Sequence, residues 1–393
     1  MELLKKYKRE IEYCTFCPRL CRFECPTAIA ESNETYTPTG KMSLVYLVEI
    51  AKADPEKVKD AFYMCVDCKH CITPCLHKID VPKVLIEARA KVYESGISDQ
   101  NIKKFAGLLE KYDHPYSHIM EDNLKEVVSG LHSRYKEQKK TNGLPPLAAP
   151  YQGGDHEKPS LDMGRVFYFP GCTALRFYKD TVKGASRLLT VLDIDFDIMD
   201  EPTCCGYPGY AAGVKGWFQK TAAKLKGTLD KYDTVISTCP TCINTFKNIY
   251  RRNGIELRAN PMHILEFIAP KIKQLLKQIT KTDAVVAYHD PCHLGRHLGN
   301  YDTPREIIDL IYEKRVEFQW SKEEANCCGG GGAVPLTNPD TSSRIGKKRM
   351  EEFKITGADK LLTACPSCVR WLKKADERVE VIDIVDVLVK KLV

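Results

Sequence analysis

Lys360-Leu361-Leu362-Thr363-Ala364-Cys365-Pro366-Ser367-Cys368 is a short apolar run ending in two cysteines, and Thr234-Val235-Ile236-Ser237-Thr238-Cys239-Pro240-Thr241-Cys242 is its near copy. Such a run, stopped by proline and small residues, reads as a buried strand leading straight into the cysteines. Working backwards from each copy gives the same series. A helical stretch precedes it, Lys215–Lys231 or Thr341–Phe353. Before that comes an adjacent pair with glycine, Cys204-Cys205-Gly206 or Cys327-Cys328-Gly329, reached from a strand candidate at Asp195–Met199 or Arg315–Gln319. A further helical stretch, Tyr178–Leu192 or Pro304–Glu313, follows a strand that leads to Cys172 (Arg165–Pro170) or Cys292 (Asp283–His289). The period is about 120 residues. Strands alternating with helices predict parallel α/β sheets, and ligand sites of such sheets lie past the carboxyl ends of the strands. All five cysteines of each copy therefore fall at one rim of one sheet.

The other eight of the eighteen cysteines lie upstream in two runs of four, Cys14, Cys17, Cys21, Cys25 and Cys65, Cys68, Cys71, Cys75. The second run has the spacing with which three thiolates hold one [4Fe–4S] cube and the fourth ligates a neighbouring cube. The first has one extra residue between Cys17 and Cys21, and Pro74 precedes Cys75 instead of following it. On the crossed pattern Cys14, Cys17 and Cys21 take Cys75, and Cys65, Cys68 and Cys71 take Cys25. Zinc sites use two separated pairs, which two runs of four fit poorly. His70 and His77 flank this run as local hydrogen-bonding groups.

The chain has 393 residues and ordinary apolar and charged fractions, so the cysteines do not substitute for a missing core. Four segments are expected: a helical two-cluster domain over 1–135, a Lys-, Pro- and Gly-rich linker over 136–164, and two α/β domains over 165–280 and 281–393. Within the first, Val84–Ser95 and Asn101–Lys111 have helical apolar spacing. The net charge of +7 is spread along the chain, with no basic stripe interleaved with aromatics, so nucleic acid is not an expected partner. Met1–Tyr13 lacks the apolar stretch of a secretory signal, and no apolar run reaches the ~20 residues of a membrane helix. Val381–Val393 is apolar but broken by Asp383, Asp386, Lys390 and Lys391. A cytoplasmic protein is expected, with any membrane contact made through a partner. No Gly-x-Gly-x-x-Gly strand–helix unit is present, so no flavin or nicotinamide site is expected in this chain.

Adjacent cysteines can reach different irons of one cluster, and five thiolates are one more than a simple cube needs. Gly206, Gly329 and Gly330 make room for close approach of backbone to a cofactor. The glycine run Gly329–Gly332 has a second reading as a phosphate cradle, though it lacks the Lys-Ser/Thr of a P-loop.

The twice-repeated Cys, Cys-Cys-Gly, Cys-x-x-Cys pattern, with Phe169-Pro170-Gly171-Cys172 and Tyr288-His289-Asp290-Pro291-Cys292-His293-Leu294-Gly295-Arg296, resembles the CCG-domain iron–sulfur oxidoreductases. These include the heterodisulfide reductase D type and the iron–sulfur subunits of anaerobic glycerol-3-phosphate dehydrogenase and of glycolate or lactate oxidases. The resemblance implies a helical ferredoxin-like domain with two cubanes, followed by two duplicated parallel α/β CCG domains. It also implies one noncubane [4Fe–4S] cluster on Cys172, Cys204, Cys205, Cys239 and Cys242. A second is implied on Cys292, Cys327, Cys328, Cys365 and Cys368, with a disulfide cleaved between the two. The implied partner is a flavoprotein or a membrane cytochrome subunit, and the implied acceptor a small disulfide or, for the dehydrogenase-linked relatives, a quinone. Cys292, Cys328 and His293 are the expected catalytic group. His293 has two roles open to it, proton donor or hydrogen bond to the cluster. Arg296 likewise has two, substrate anchor or neutraliser of cluster charge.

Overall fold

The computed structural model describes residues 2–18, 20–140 and 164–393. The first part is built from short helices set by proline and aspartate punctuation. Pro26, Pro38 and Pro55 each open a helix, where a missing N–H costs nothing. Thr37, Asp54, Asp80 and Asp99 cap the helices Pro38–Glu49, Pro55–Tyr63, Val81–Glu94 and Gln100–Tyr112 with side-chain oxygens. The first helix, Leu3–Thr15, buries Leu3, Tyr7, Ile11 and Cys14, a spacing of four, four and three that keeps one stripe on the core. The helix Ile119–Lys140 continues five residues into the segment expected as linker, and the rest of that segment, 141–163, lies outside the described residues.

Two four-stranded sheets follow. Strands β1 (Val166–Tyr168), β2 (Phe196–Ile198), β3 (Thr234–Ser237) and β4 (Asn260–His263) form the first, in the order β2-β1-β3-β4. Strands β5 (Thr282–His289), β6 (Tyr312–Val316), β7 (Lys360–Thr363) and β8 (Val381–Asp383) form the second, in the order β6-β5-β7-β8. Every pairing is parallel. The central strands are apolar on both faces because helices cover both, and Val235, Ile236, Leu361 and Leu362 are fully buried.

The expected strand at Arg315–Gln319 instead begins at Tyr312, directly after the helix Asp302–Ile311. It ends at Val316, where Glu317 turns away to Arg305 and Arg315. No pattern in the sequence marks β4 or β8. Both are three- or four-residue edge strands, and β4 carries Pro261, which only an edge tolerates. Each hands over directly to a helix capped by its own last residue, His263 accepting from the Leu265 N–H and Asp383 from the Val385 N–H.

Two arginines, buried Arg89 and half-buried Arg296, hold the three parts together. Arg89 donates to the carbonyls of Phe62 (2.7 Å), Ala211 (2.7 Å) and Cys65 (2.9 Å). Arg296 donates to the carbonyls of Cys68 (2.6 Å), Ala325 (2.7 Å) and Glu323 (2.9 Å). The loop Cys65–Cys71 is thereby clamped between both sheets. Gly331 and Gly332 complete the clamp: a Cβ at either would collide with the carbonyls of Val66 and Cys65. Among the described residues, no helix is long and apolar enough to cross a membrane.

Candidate functional site

The second run of cysteines wraps around a point. Asp67 and Lys69 take left-handed conformations (φ 54° and 60°) on either side of Cys68, which coils the loop tightly. Cys65, Cys68 and Cys71 line one small pocket, and the fourth cysteine on its wall is Cys25 from the first run. Fully buried Lys41 faces this set. It donates to Cys25 Sγ at 3.5 Å, Thr27 Oγ1 at 3.3 Å and the Met64 carbonyl at 2.6 Å. Burial alone would lower its pKa, but Cys25, Cys65 and Cys71 hold it raised and the ammonium charged. The Cys25 thiol is correspondingly low: burial pushes it up, and Lys41 and Thr27 outweigh that.

Cys14, Cys17, Cys21 and Cys75 form the other set. Burial and the neighbouring sulfurs push Cys14 up to about 12, and burial pushes Cys21 up to about 11. The two sets adjoin, because Cys71 lies within the field of Cys21. Of the eleven large hydrophobic side chains exposed among the described residues, eight fall between Tyr13 and Leu76. Tyr13, Phe16, Leu20 and Leu76 each neighbour one of these four cysteines in the chain, so an apolar face surrounds this set. His77 packs edge-on against Tyr13, and His70 Nε2 lies 3.0 Å from Glu24 and 3.3 Å from Glu324.

At the rim of the first sheet the five thiols contact one another in the order Cys172, Cys204, Cys205, Cys242, Cys239, with Cys172 and Cys204 sulfurs 3.9 Å apart. At the second rim the order is the same: Cys292, Cys327, Cys328, Cys368, Cys365. The second member of each pair is the hub. Burial raises Cys205, but thiol donors Cys204 and Cys242 pull it well below its ordinary value. Cys327 and Cys368 do the same for Cys328 against burial. A thiolate inside a ring of thiols is the chemistry of a metal-ligand set. At Gly171 an added Cβ would press on Cys242 Sγ and Cys239. Gly329 N–H donates to Cys327 Sγ at 3.4 Å with φ 86°, a conformation glycine permits. Gly330 and Gly206 make room for protein: Trp371 occupies the space of one missing Cβ and Phe218 that of the other.

The halves differ in their surroundings. Cys68 of the N-terminal loop touches Cys327, and Arg296 feels Cys68, Cys292 and Cys327 together. His289 accepts from Arg349 Nε at 3.1 Å through Nδ1, and one of its ring nitrogens lies within 4.8 Å of the Cys328 and Cys368 sulfurs. His293 stacks on His297 (4.2 Å) and meets Asn244 of the first half through Nδ1 at 3.1 Å. Burial, together with the charges of Lys69 and Arg296, holds His293 down at about 3, so at neutral pH it is a neutral imidazole with one N–H. The ring atoms His289 Nε2 and His293 Nε2, with Arg296 Nη2, are buried without a protein partner. Leftover donors around a ring of thiols suit a sulfide-bearing anionic group, and the residues present fit an iron–sulfur occupant.

Between the two rims lies a patch that no motif announces. Thr173, next to Cys172, approaches Ser367, between Cys365 and Cys368, with hydroxyls 3.5 Å apart. Tyr116 from the helical part meets Thr173 at 3.4 Å and accepts from Arg370 at 3.3 Å. Arg370 stacks on Phe177 at 3.7 Å. Tyr178, pushed up to about 12 by burial, faces Arg370 and Cys365. Cys239 and Cys365 feel each other across this junction.

The model of the cysteine-rich CCG domain matches twice, at residues 166–247 and 286–373. Curated relatives extend the likeness to the helical part. The D-type subunit of the dihydromethanophenazine:CoB–CoM heterodisulfide reductase of Methanosarcina barkeri is 30% identical over 88% of this chain and 81% of its own length. The protein of that name from Methanosarcina mazei is 29% identical over 95% and 90%. The B-type subunit of the fumarate reductase (CoM/CoB) of Methanothermobacter marburgensis is 27% identical over 94% and 70%. With two matched CCG domains, two parallel sheets carrying five thiols each, and likeness running into the N-terminal cysteine runs, this chain belongs to the CCG-domain iron–sulfur oxidoreductases related to the D-type subunit of heterodisulfide reductase.

Proposed function

We propose that the chain carries single electrons from a redox partner to a small disulfide. Two cubane and two noncubane [4Fe–4S] clusters would supply the one-electron steps and, at the noncubane pair, affinity for sulfur. Cys14, Cys17, Cys21 and Cys75 would hold the outer cube, and Cys65, Cys68, Cys71 and Cys25 the inner one. Cys172, Cys204, Cys205, Cys239 and Cys242 would hold the first noncubane cluster, and Cys292, Cys327, Cys328, Cys365 and Cys368 the second. One observation carries the reading: Cys68 touches Cys327 while Cys239 and Cys365 feel each other. A line of sulfur thus runs from the exposed apolar face, through both N-terminal sets, to the gap between the halves.

This chain's side chains divide the remaining work. The apolar face around Phe16 and Leu76 would receive a flavoprotein or membrane cytochrome subunit. Arg370, with the hydroxyls of Tyr116, Thr173 and Ser367, would hold a polar, anionic disulfide between the rims. Two electrons and two protons convert one disulfide into two thiols. The protons come from solvent by way of those hydroxyls, since burial keeps His293 neutral.

Adding the coenzyme M–coenzyme B heterodisulfide to anaerobically oxidised protein should generate a new paramagnetic signal that Cys328→Ala lacks. Silence in protein with full iron content would end the disulfide reading. It would leave the chain as an electron relay from a flavin-linked glycerol-3-phosphate, lactate or glycolate dehydrogenase toward quinone.

A further inference from the structure

The duplication makes the two five-cysteine halves a matched pair, so any difference at equivalent positions is informative. Counting back three residues from the leading cysteine reaches Phe169 in the first half and His289 in the second. Both follow a buried tyrosine, Tyr168 or Tyr288, and both are buried themselves. Phe169 packs edge-on against Phe246 at 5.0 Å and offers no polar atom. His289 closes the end of β5, with its own carbonyl accepting from Thr363 Oγ1 at 3.1 Å.

The tautomer of His289 is fixed by its neighbour. Arg349 Nε donates to His289 Nδ1, and a guanidinium can only donate. Nδ1 is therefore the bare nitrogen, and Nε2 carries the hydrogen. That N–H is buried, has no protein nitrogen or oxygen to donate to, and helps hold the Cys328 thiolate low. The imidazole sits beside the sulfurs of Cys328, the hub thiolate, and Cys368. Arg349 is itself held fully buried, donating to the Trp320 carbonyl at 2.9 Å, paired with Glu352, and lying 3.6 Å over the Phe318 ring. A buried cation fastened through Nη1, with only Nη2 left unpartnered and Nε directed at an imidazole, is a rigid support for that ring.

We propose that Arg349 locks His289 as an N–H donor to the sulfur of the second five-cysteine site, so that the group bound there accepts an electron more readily than its twin in the first half. The physical cause is that a hydrogen bond to sulfur stabilises the more negative, reduced state. Because the second half is also the one touching Cys68, the donor stands where electrons arrive from the N-terminal sets. His289 and Arg349 are positioning residues here, acting on the ligand sulfurs and not on substrate. The inference rests on the iron–sulfur reading of the five-cysteine sites given above.

The test is a dye-mediated potentiometric titration of the anaerobically purified full chain, followed by EPR, with iron and sulfide counted in parallel. The second site's signal is the one that Cys328→Ser removes. In His289→Phe, which copies the first half, the reduced-to-oxidised ratio of that signal at fixed potential should fall about tenfold, a downward shift of about 59 mV for a one-electron couple. His289→Gln, whose amide keeps a donor, should stay within about threefold of wild type. His289→Met, apolar and flexible, should reproduce the Phe result if the phenyl ring does not fit. Unchanged potentials in His289→Phe and His289→Met, at full iron content, overturn the proposal and leave the iron–sulfur reading standing. Loss of the site's iron from all three variants also overturns it, by making His289 a ligand. If wild type has no signal that Cys328→Ser removes, the underlying iron–sulfur reading itself fails.

Discussion

The first five-cysteine half and the second share strand order, thiol order and a hub cysteine, yet they live in different electrical surroundings. Around Cys292, Cys327 and Cys328 stand His289, His293 and Arg296, with Cys68 in contact. The corresponding positions around Cys172 hold Phe169, Thr173 and Arg176, and the last lies over the Phe177 ring. Duplication preserved the part that fixes ligand geometry, strand ends and small residues. It let the neighbours diverge, so the second half meets the inner N-terminal set by sulfur, Cys327 on Cys68, while the first reaches the same loop through Tyr207 on Asp67 and Ala211 on Arg89.

The largest break in that comparison comes from removing a hub. Cys328→Ala should cost the second half its metal, about four of roughly sixteen irons per chain, and Cys205→Ala should cost the first half the same number. Only Cys328→Ala should also disturb the inner N-terminal set, through Cys68, and EPR of the remaining clusters reads this.

Next comes the clamp. Arg296→Leu leaves the carbonyls of Cys68, Glu323 and Ala325 without their donor and should destabilise the protein by about 3 kcal/mol in denaturant unfolding. The same change should slow delivery of electrons to the second half.

Acid acts in opposite directions on two matched strand ends. His263 ends β4 and Asp383 ends β8 at equivalent places, paired with Ser237 and Thr363. Burial lowers His263 to about 4, so it contributes stability above its unfolded value near 6.5 and loses it as pH falls from there through 4, by up to about 3 kcal/mol. Burial, with Asp386 nearby, raises Asp383, so this carboxyl contributes stability as it takes up its proton on acidification, against buried His289 and His293 of the same half, which lose it. Denaturant unfolding of the wild type should lose stability as pH falls from 6.5 to 4, and His263→Asn should remove about 3 kcal/mol of that loss.

Much of the duplicated architecture was legible because strand runs end directly in cysteines, and Thr234–Ser237 and Lys360–Thr363 have the expected bounds. The edge strands β4 and β8 were not, since three or four residues with a proline or an aspartate show no alternation. The cysteines announced themselves by spacing, but Tyr116, Thr173, Ser367, Arg370 and Arg349 did not. They matter by meeting across parts far apart in sequence, and no local pattern marks such residues. The glycine run looked like room for a cofactor. Two of its members instead admit the carbonyls of Cys65 and Val66, a role visible only once the N-terminal loop is seen against it.

The smallest expected effect lies on the outer face. Phe16→Ser and Leu76→Ser, both largely exposed, should change stability by less than about 0.5 kcal/mol while slowing reduction by a redox partner, which stopped-flow absorbance would resolve.

All four cysteine sets are expected to hold iron and sulfide. Metal and acid-labile sulfide analysis of anaerobically purified protein tests it most directly. About sixteen irons per chain with abundant sulfide is the predicted result. A few zinc ions per chain with no sulfide would contradict it.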